Sequence, residues 1–211
     1  MVQHSIPLED KTLILAKQYR HAPIHREITK EDIAKKLKDN IIEPSSSPLS
    51  APECPYSYCP KEKSHGNKRW RLMVDLRRLN SQAMNDSYTV PTSLTFQLGN
   101  YQYFQTFDLA SEYYQILLKP EDKWTTAFSI PNGHWQFVKM PMELASAPAK
   151  FQRMMEKMLR GLQVYAKNHE RKLKLLFERL QNANLKLQPE KVQFLKREVA
   201  LLGYVIRERR E

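Results

Sequence analysis

The spacing of hydrophobic positions near the N-terminus predicts an extended segment followed by one helix. Residues 1–27 alternate between polar and apolar types, which is typical of an extended arm. A helix is predicted over 28–40, because Ile33 and Leu37 recur at four-residue spacing. Thr29 is a candidate N-cap for this helix, with an acidic residue three positions later.

Two further helices are predicted in the C-terminal half of the chain. The first opens near Ser146, with Pro148 in its first turn, where proline is well tolerated. Its apolar residues share one face and predict packing against a core: Phe151, Met154, Met155, Met158, Leu159 and Leu162. The second helix runs from about 168 to 182. It has an apolar stripe of its own: Leu173, Leu176, Phe177 and Leu180.

Short runs of apolar and aromatic residues predict the strands. The expected strands cover 69–76, 101–107, 124–130, 135–140, 185–187 and 199–206. The third and fourth form a predicted hairpin, because the pair Asn132-Gly133 between two apolar runs is a strong turn signal. The segment 43–60 carries five prolines and five serines and is predicted to be a loop or an extended path and not a packed element.

One strand delivers a single carboxylate to its C-terminal end. Tyr103, Phe104 and Phe107 lead into Asp108, and a small-residue turn and a second aromatic pair follow. An aspartate placed in this way can hold a hard metal ion beside a nucleotide sugar. The alternative is that Asp108 caps the next helical turn.

Composition indicates a globular protein with a polyanionic partner. The chain has 211 residues, of which 41% are hydrophobic and 27% are charged, which is ordinary for a soluble domain. Lys and Arg number 34 against 23 Asp and Glu, so the formal charge is +11. This balance favours nucleic acid as a partner and, second, an anionic membrane surface.

The termini and the cysteines predict an intracellular protein, cytoplasmic or nuclear. No apolar run approaches the roughly 18 residues of a transmembrane helix, and no secretory signal is visible. Cys54 and Cys59 have no matching pair of further zinc ligands, so they are interpreted as reduced thiols. Four basic residues between 61 and 69, followed by Arg71, suit a triphosphate, although a solvated basic hairpin has the same pattern.

Taken in order, many blocks of this sequence resemble the reverse transcriptase of gypsy-type LTR retrotransposons. The blocks are HSIPLEDK, NIIEPSSSPLSAP, WRLMVDLRRLN, YTVP, FQTFDLASEYYQI, TTAFSIPNGHWQFVKMP, LASAPAKFQRMM and RLQNANLKLQPEKVQFLKREVALLGYVI. The resemblance implies an α+β right-hand polymerase fold of fingers and palm, with an antiparallel palm sheet packed on helices. It divides the chain into an N-terminal part of the fingers (1–60), the fingers-palm body (61–206) and a charged tail (207–211).

The resemblance also assigns roles to individual residues. Asp108 matches the first of three palm carboxylates that hold two Mg²⁺ ions, and Tyr113 matches the aromatic gate that excludes a ribose 2′-hydroxyl. Arg71 matches the arginine on the incoming dNTP, with Lys63 or Lys68 as its lysine partner. The implied partners are a template-primer of RNA or DNA and the dNTP. The residues matched to the template and primer regions are Ala147, Pro148, Phe151, Gln152, Leu202 and Gly203.

The sequence departs from the family where the second and third carboxylates belong. The family has a Tyr-x-Asp-Asp hairpin between the last two predicted helices, whereas this chain joins them by GLQVYAKNHERKL and has no Asp after Asp122. Other family positions also differ: Glu112 replaces a glycine, Met142-Glu143 replaces Phe-Gly, and Thr125 replaces a lysine. The palm sheet is therefore expected to be incomplete, and Asp108 to attract a single Mg²⁺ loosely.

Three interpretations of this departure stay open. The chain is a reverse transcriptase fragment without catalytic activity, a non-enzymatic module that binds nucleic acid, or the product of a defective gene model of an active polymerase. A transcript that encodes the hairpin between Gln163 and Tyr165 distinguishes the third interpretation from the other two.

Overall fold

A computed structural model describes residues 3–9, 23–54, 73–84, 86, 88, 102–131, 133–162, 169–201 and 204–207. Four helices lie in these ranges: α1 (Pro23–Lys38), α2 (Arg77–Gln82), α3 (Ala147–Leu159) and α4 (His169–Asn182). The strands are β1 (Gln3–His4), β2 (Ile42–Pro44), β3 (Ala51–Cys54), β4 (Met73–Val74), β5 (Phe104–Thr106), β6 (Leu117–Leu118), β7 (Phe128–Ile130), β8 (Gly133–Phe137), β9 (Gln193–Lys196), β10 (Glu198–Leu201) and β11 (Tyr204–Arg207). Within these ranges no helix is both long and apolar enough to cross a membrane.

The largest sheet has the strand order β2-β8-β7-β3-β4 and carries most of the core. Its pairs are antiparallel except for β3 and β7, which are parallel. Phe128 and Phe137 lie at its centre, with ring centroids 5.4 Å apart, and both are buried. The main cluster packed around them includes Ile42, Val74, Leu76, Leu79, Ile116, Leu118, Met140 and Leu144. Burial of these side chains is the main stabilising contribution to this half of the chain.

The prediction that 43–60 forms no packed element is wrong in its first part, because two of its stretches are strands of the main sheet. Pro44 belongs to β2, at the edge of the sheet, where a missing N–H costs no ladder hydrogen bond. Pro52 belongs to β3, which pairs with β7 through residues 51–52 and with β4 through residues 53–54. Each half of β3 therefore has a different neighbour, and the carbonyl of Pro52 still accepts a 2.9 Å hydrogen bond from the N–H of Asp75.

The start of α1 also differs from the prediction. The helix begins at Pro23, inside the segment predicted to be extended, and Thr29 is buried in its interior instead of capping it. Proline at the first helical position has its φ angle already set and needs no hydrogen-bond partner for an N–H. This signal outweighs the serine-threonine cap pattern on which the prediction rested.

The predicted hairpin forms, but it is shorter at both ends. Residues 120–126 form a 3-10 helix, in which the Oγ1 atoms of Thr125 and Thr126 donate 2.7 Å hydrogen bonds to carbonyls three residues earlier. After Phe137 the chain leaves the sheet and pairs with residues 116–118, where the N–H of Met140 donates to the Ile116 carbonyl at 2.8 Å.

The second half of the fold contains two short strand pairs and the helices α3 and α4. β5 pairs antiparallel with β9, and β10 pairs antiparallel with β11. Both helices occur where they were predicted, with Ser146 at the N-cap of α3 and Pro148 in its first turn. The predicted strand 185–187 is reduced to one bridge between Leu187 and Leu109, and β9 had not been predicted. β11 includes Arg207, the first residue of the predicted charged tail.

His4 connects the N-terminal arm to the rest of the fold. β1 pairs in parallel with β6, and the N–H of Lys119 donates to the His4 carbonyl at 2.8 Å. The imidazole is buried, and its Nε2 lies 3.2 Å from Oγ of Ser146 in a hydrogen bond. Burial, together with the nearby Lys150 ammonium, lowers the pKa of His4 from 6.5 to about 4.

We expect the arm to weaken the fold in mild acid. Between pH 6.5 and 4 the unfolded chain binds a proton at His4 that the folded chain does not, so stability is full above pH 6.5 and falls toward pH 4. The loss in the free energy of unfolding between pH 7.5 and 5 should be about 2 kcal/mol. Urea unfolding at the two pH values measures it, with His4→Gln as the control that lacks the titrating ring. An equal loss in both proteins contradicts the prediction.

Candidate catalytic and nucleic-acid site

The segment after β5 is held against the chain between α4 and β9. The carbonyl of Asp108 accepts a 2.8 Å hydrogen bond from the N–H of Gln188, and the N–H of Ala110 donates to the Lys186 carbonyl at 2.9 Å. Leu109 forms an antiparallel bridge with Leu187. Asp108 therefore lies on a backbone fixed by hydrogen bonds on both sides of it.

Gln115 braces the same two segments, and sequence reasoning did not single it out. Its Nε2 donates to the carbonyls of Ala110 and Lys186, at 2.5 and 3.0 Å. Its Oε1 accepts from the Lys186 N–H at 2.6 Å. An isolated glutamine after two tyrosines gives no sequence signal for such a role, because the role depends on a segment 71 residues away.

The carboxylate of Asp108 is paired with a lysine. Oδ2 of Asp108 accepts a 2.5 Å hydrogen bond from Nζ of Lys191, and the two side chains are 42% and 53% exposed. Among the described residues no three His, Cys, Asp or Glu side chains are grouped so that they could hold a metal ion. The connection 163–168, which lies outside the described residues, contains no acidic residue. This set of donors does not fit a pair of divalent ions, which needs several carboxylate oxygens.

Tyr113 and Phe151, which the resemblance assigned to different parts of the site, lie against each other. Their rings meet edge to face, with centroids 5.7 Å apart at an interplanar angle of 86°. Tyr113 lies in a 3-10 turn (Glu112–Gln115) that follows Ser111, whose φ of 47° is left-handed and reverses the chain. Burial of the phenol and the neighbouring Glu112 carboxylate raise the pKa of Tyr113.

The outer face of α3 binds the segment that contains residues 86 and 88. Nη2 of Arg153 donates to Oδ1 of Asp86 at 2.8 Å, and the guanidinium lies 4.7 Å from the centroid of the Tyr88 ring. Glu156 accepts hydrogen bonds from the Tyr88 hydroxyl and from Nε2 of Gln152, and these bonds lower the pKa of Glu156. Gln152 is therefore oriented by its neighbour on the helix, whereas Pro148 is exposed at the helix start.

The residues that replace the family's Phe-Gly lie beside α2. Nδ2 of Asn80 donates to the carbonyl of Glu143 at 2.8 Å, and its Oδ1 accepts from the N–H of Ala145 at 2.9 Å. One asparagine side chain therefore fixes the backbone that leads into α3. Ala147, also matched to the template side, is buried at the start of α3. The remaining predicted site residues lie outside the described residues, as does the connection 163–168: Lys63, Lys68, Arg71, Leu202 and Gly203.

In the described part of residues 186–207 five basic residues are exposed, and two of them, Lys186 and Lys191, contact the segment around Asp108. Lys186 is bonded through its backbone to Ala110 and Gln115, and Lys196 pairs with Phe104 in the β5-β9 ladder. The exposed basic residues of this region are Lys186, Lys191, Lys196, Arg197 and Arg207. Exposed cations beside a strand end can bind the phosphates of a nucleic acid.

Comparison with known proteins identifies the family of this chain. A family model described as "Reverse transcriptase (RNA-dependent DNA polymerase)" matches residues 59–206. The chain belongs to the reverse transcriptase family. It is 36% identical, over 92% of its length, to the "Retrovirus-related Pol polyprotein from transposon opus" of Drosophila melanogaster, and 31% identical, over 83%, to that from transposon gypsy of the same species.

A solved structure shows the same fold. A foamy viral protease-reverse transcriptase in complex with RNA/DNA hybrid matches 97% of the chain with a TM-score of 0.78 and 21% identity. The α+β fingers-palm fold predicted for this reverse transcriptase chain is therefore confirmed. The chain covers 21% of the opus polyprotein, 18% of the gypsy polyprotein and 29% of the foamy viral chain.

Proposed function

We propose that this chain is a reverse transcriptase domain that holds a template-primer duplex through its phosphates but does not extend it. The proposal rests on the carboxylate of Asp108, which is paired with Lys191. No Asp follows Asp122 in the sequence to supply further carboxylates of that type. Two Mg²⁺ ions, which the family uses for nucleotidyl transfer, have too few carboxylate ligands here.

Binding is assigned to three groups of residues, each by its match to the family. The incoming dNTP is assigned to Arg71, Lys63 and Lys68, with Tyr113 against its sugar. The template is assigned to the start of α3, and the primer to Leu202 and Gly203. The edge-to-face contact of Tyr113 with Phe151 supports the dNTP and template assignments. It places the residue assigned to the dNTP sugar against the helix assigned to the template. We keep the division into 1–60, 61–206 and 207–211 as part of this proposal.

The expected binding is weak and sensitive to salt. Three phosphate contacts predict a slope of log K against log salt of about −2.7, which is a loss of about 40-fold between 50 and 200 mM salt. Fluorescence anisotropy with a labelled RNA/DNA hybrid and with a labelled single strand measures this slope. Absence of association with either nucleic acid at low salt contradicts the proposal.

Paired variants localise the phosphate contacts. Lys186→Ala/Lys196→Ala removes two exposed cations near Asp108 and should make the slope shallower by about 1.8. Lys35→Ala/Lys38→Ala removes two exposed lysines of α1 and serves as the matched control for net charge. An equal change in both double variants indicates non-specific attraction by the net charge and contradicts binding beside Asp108.

A second candidate function is an active polymerase whose transcript encodes the catalytic hairpin. It is favoured by the sequence around the connection, since residues 161–163 resemble those before the hairpin and residues 164–168 resemble those after it. Sequencing the transcript across Gln163–Tyr165 tests this candidate. An in-frame Tyr-x-Asp-Asp insert supports it, and a transcript identical to the present sequence excludes it.

A further inference from the structure

We infer that Lys191 is a built-in counter-ion of Asp108 and that this pair keeps divalent cations away from the end of β5. The sequence alone predicted a loosely held Mg²⁺ at Asp108. The structure instead places an ammonium 2.5 Å from Oδ2 of the carboxylate. A metal ion at this oxygen would have to displace a charge of the same sign.

The lysine is positioned by its own backbone and not only by its side chain. Pro189 opens a 3-10 turn that ends at Lys191, and the N–H of Lys191 donates to the Gln188 carbonyl at 3.0 Å. The N–H of Gln188 in turn donates to the carbonyl of Asp108 at 2.8 Å. The turn is therefore docked on the residue whose carboxylate its lysine neutralises, which lowers the conformational entropy lost on forming the ion pair.

The remaining donors near Asp108 do not compensate for the paired charge. Glu112, the nearest acidic residue in the sequence, lies beside Tyr113 and helps to raise the pKa of its hydroxyl. A single carboxylate is a poor ligand set for Mg²⁺, which gives up its water reluctantly, and a cation on that carboxylate weakens the set further. Although a half-exposed ion pair contributes little to stability, its effect on a dication at the same oxygen is repulsive at short range.

The inference is tested with Mn²⁺ alone, without nucleic acid, so its failure is distinct from a failure of the proposed binding function. Free Mn²⁺ is measured by electron paramagnetic resonance in titrations of the wild type, Lys191→Met, Asp108→Asn and the double variant. The wild type and Asp108→Asn should give the same isotherm. Lys191→Met should gain one site, at least about tenfold tighter than any wild-type site, and the double variant should lose it. Lys35→Met, at an exposed lysine of α1, should behave as the wild type.

Each outcome decides the inference. Mn²⁺ binding by the wild type that Asp108→Asn abolishes overturns it, and this comparison stands even if the lysine variant does not fold. A folded Lys191→Met variant without the additional site also overturns it, because the lysine is then not what excludes the ion. Lys191→Gln, which retains a hydrogen-bond donor but no charge, separates the charge of Lys191 from its hydrogen bond and should also gain the site. Circular dichroism of every variant confirms that the fold is retained.

Discussion

Neither the wild-type chain nor Asp108→Ala is expected to extend a primer on an RNA template, with Mg²⁺ or with Mn²⁺. Asp108 is a single carboxylate paired with Lys191, and the connection that replaces the family's hairpin contains no acidic residue. The metal-assisted stabilisation of both the attacking and the leaving oxygen is therefore lost together. A loss of about 6 kcal/mol of transition-state stabilisation corresponds to about four orders of magnitude in rate.

The assay compares both proteins with an active reverse transcriptase on the same labelled primer. Extension that is present in the wild type and absent in Asp108→Ala shows a working site, and our interpretation of the missing hairpin is then wrong. Extension of equal size in both proteins identifies a contaminating polymerase. Binding of the hybrid is measured separately by anisotropy. This measurement distinguishes a protein that does not bind the hybrid from one that binds it without extending the primer.

Thr126→Val is expected to destabilise the fold by about 2 to 3 kcal/mol, because it removes the partners of a buried N–H group and a half-buried carbonyl. Thr126 is fully buried, and its Oγ1 donates to the Lys123 carbonyl at 2.7 Å and accepts from the N–H of Phe137 at 3.0 Å. Valine has nearly the same shape but can make neither bond. The Phe137 N–H then has no replacement for its partner in this dry interior.

Thr126→Ser is the matched control, because serine retains the hydroxyl and loses only a methyl group, at a cost of about 0.8 kcal/mol. Urea unfolding of the three proteins gives the difference in the free energy of unfolding between the Val and Ser variants. If Val proves as stable as Ser, the hydroxyl bridge does not hold the 3-10 helix 120–126 on β8, and packing alone accounts for this corner.

Elements whose signals are local could be predicted from the sequence. The hairpin of β7 and β8 and the start of α3 occur where neighbouring residues indicated them, and β5 lies within the strand predicted before Asp108. The family assignment also required only the sequence, since its motifs occur in order along nearly the whole chain. The absence of any Asp after Asp122 is equally a sequence observation, and the loss of the second and third carboxylates that we infer from it stays a prediction.

Features that join distant segments were decided by the tertiary structure. β2 and β3 form in a Pro/Ser-rich segment because their backbones pair with β8 and β7, which lie more than 70 residues away in the sequence. The bracing by Gln115 and the pairing of Lys191 with Asp108 likewise depend on segments 71 and 83 residues apart. A residue pattern indicates the local conformation that neighbouring residues favour. A hydrogen bond or an ion pair between distant residues forms only after packing has brought those residues together.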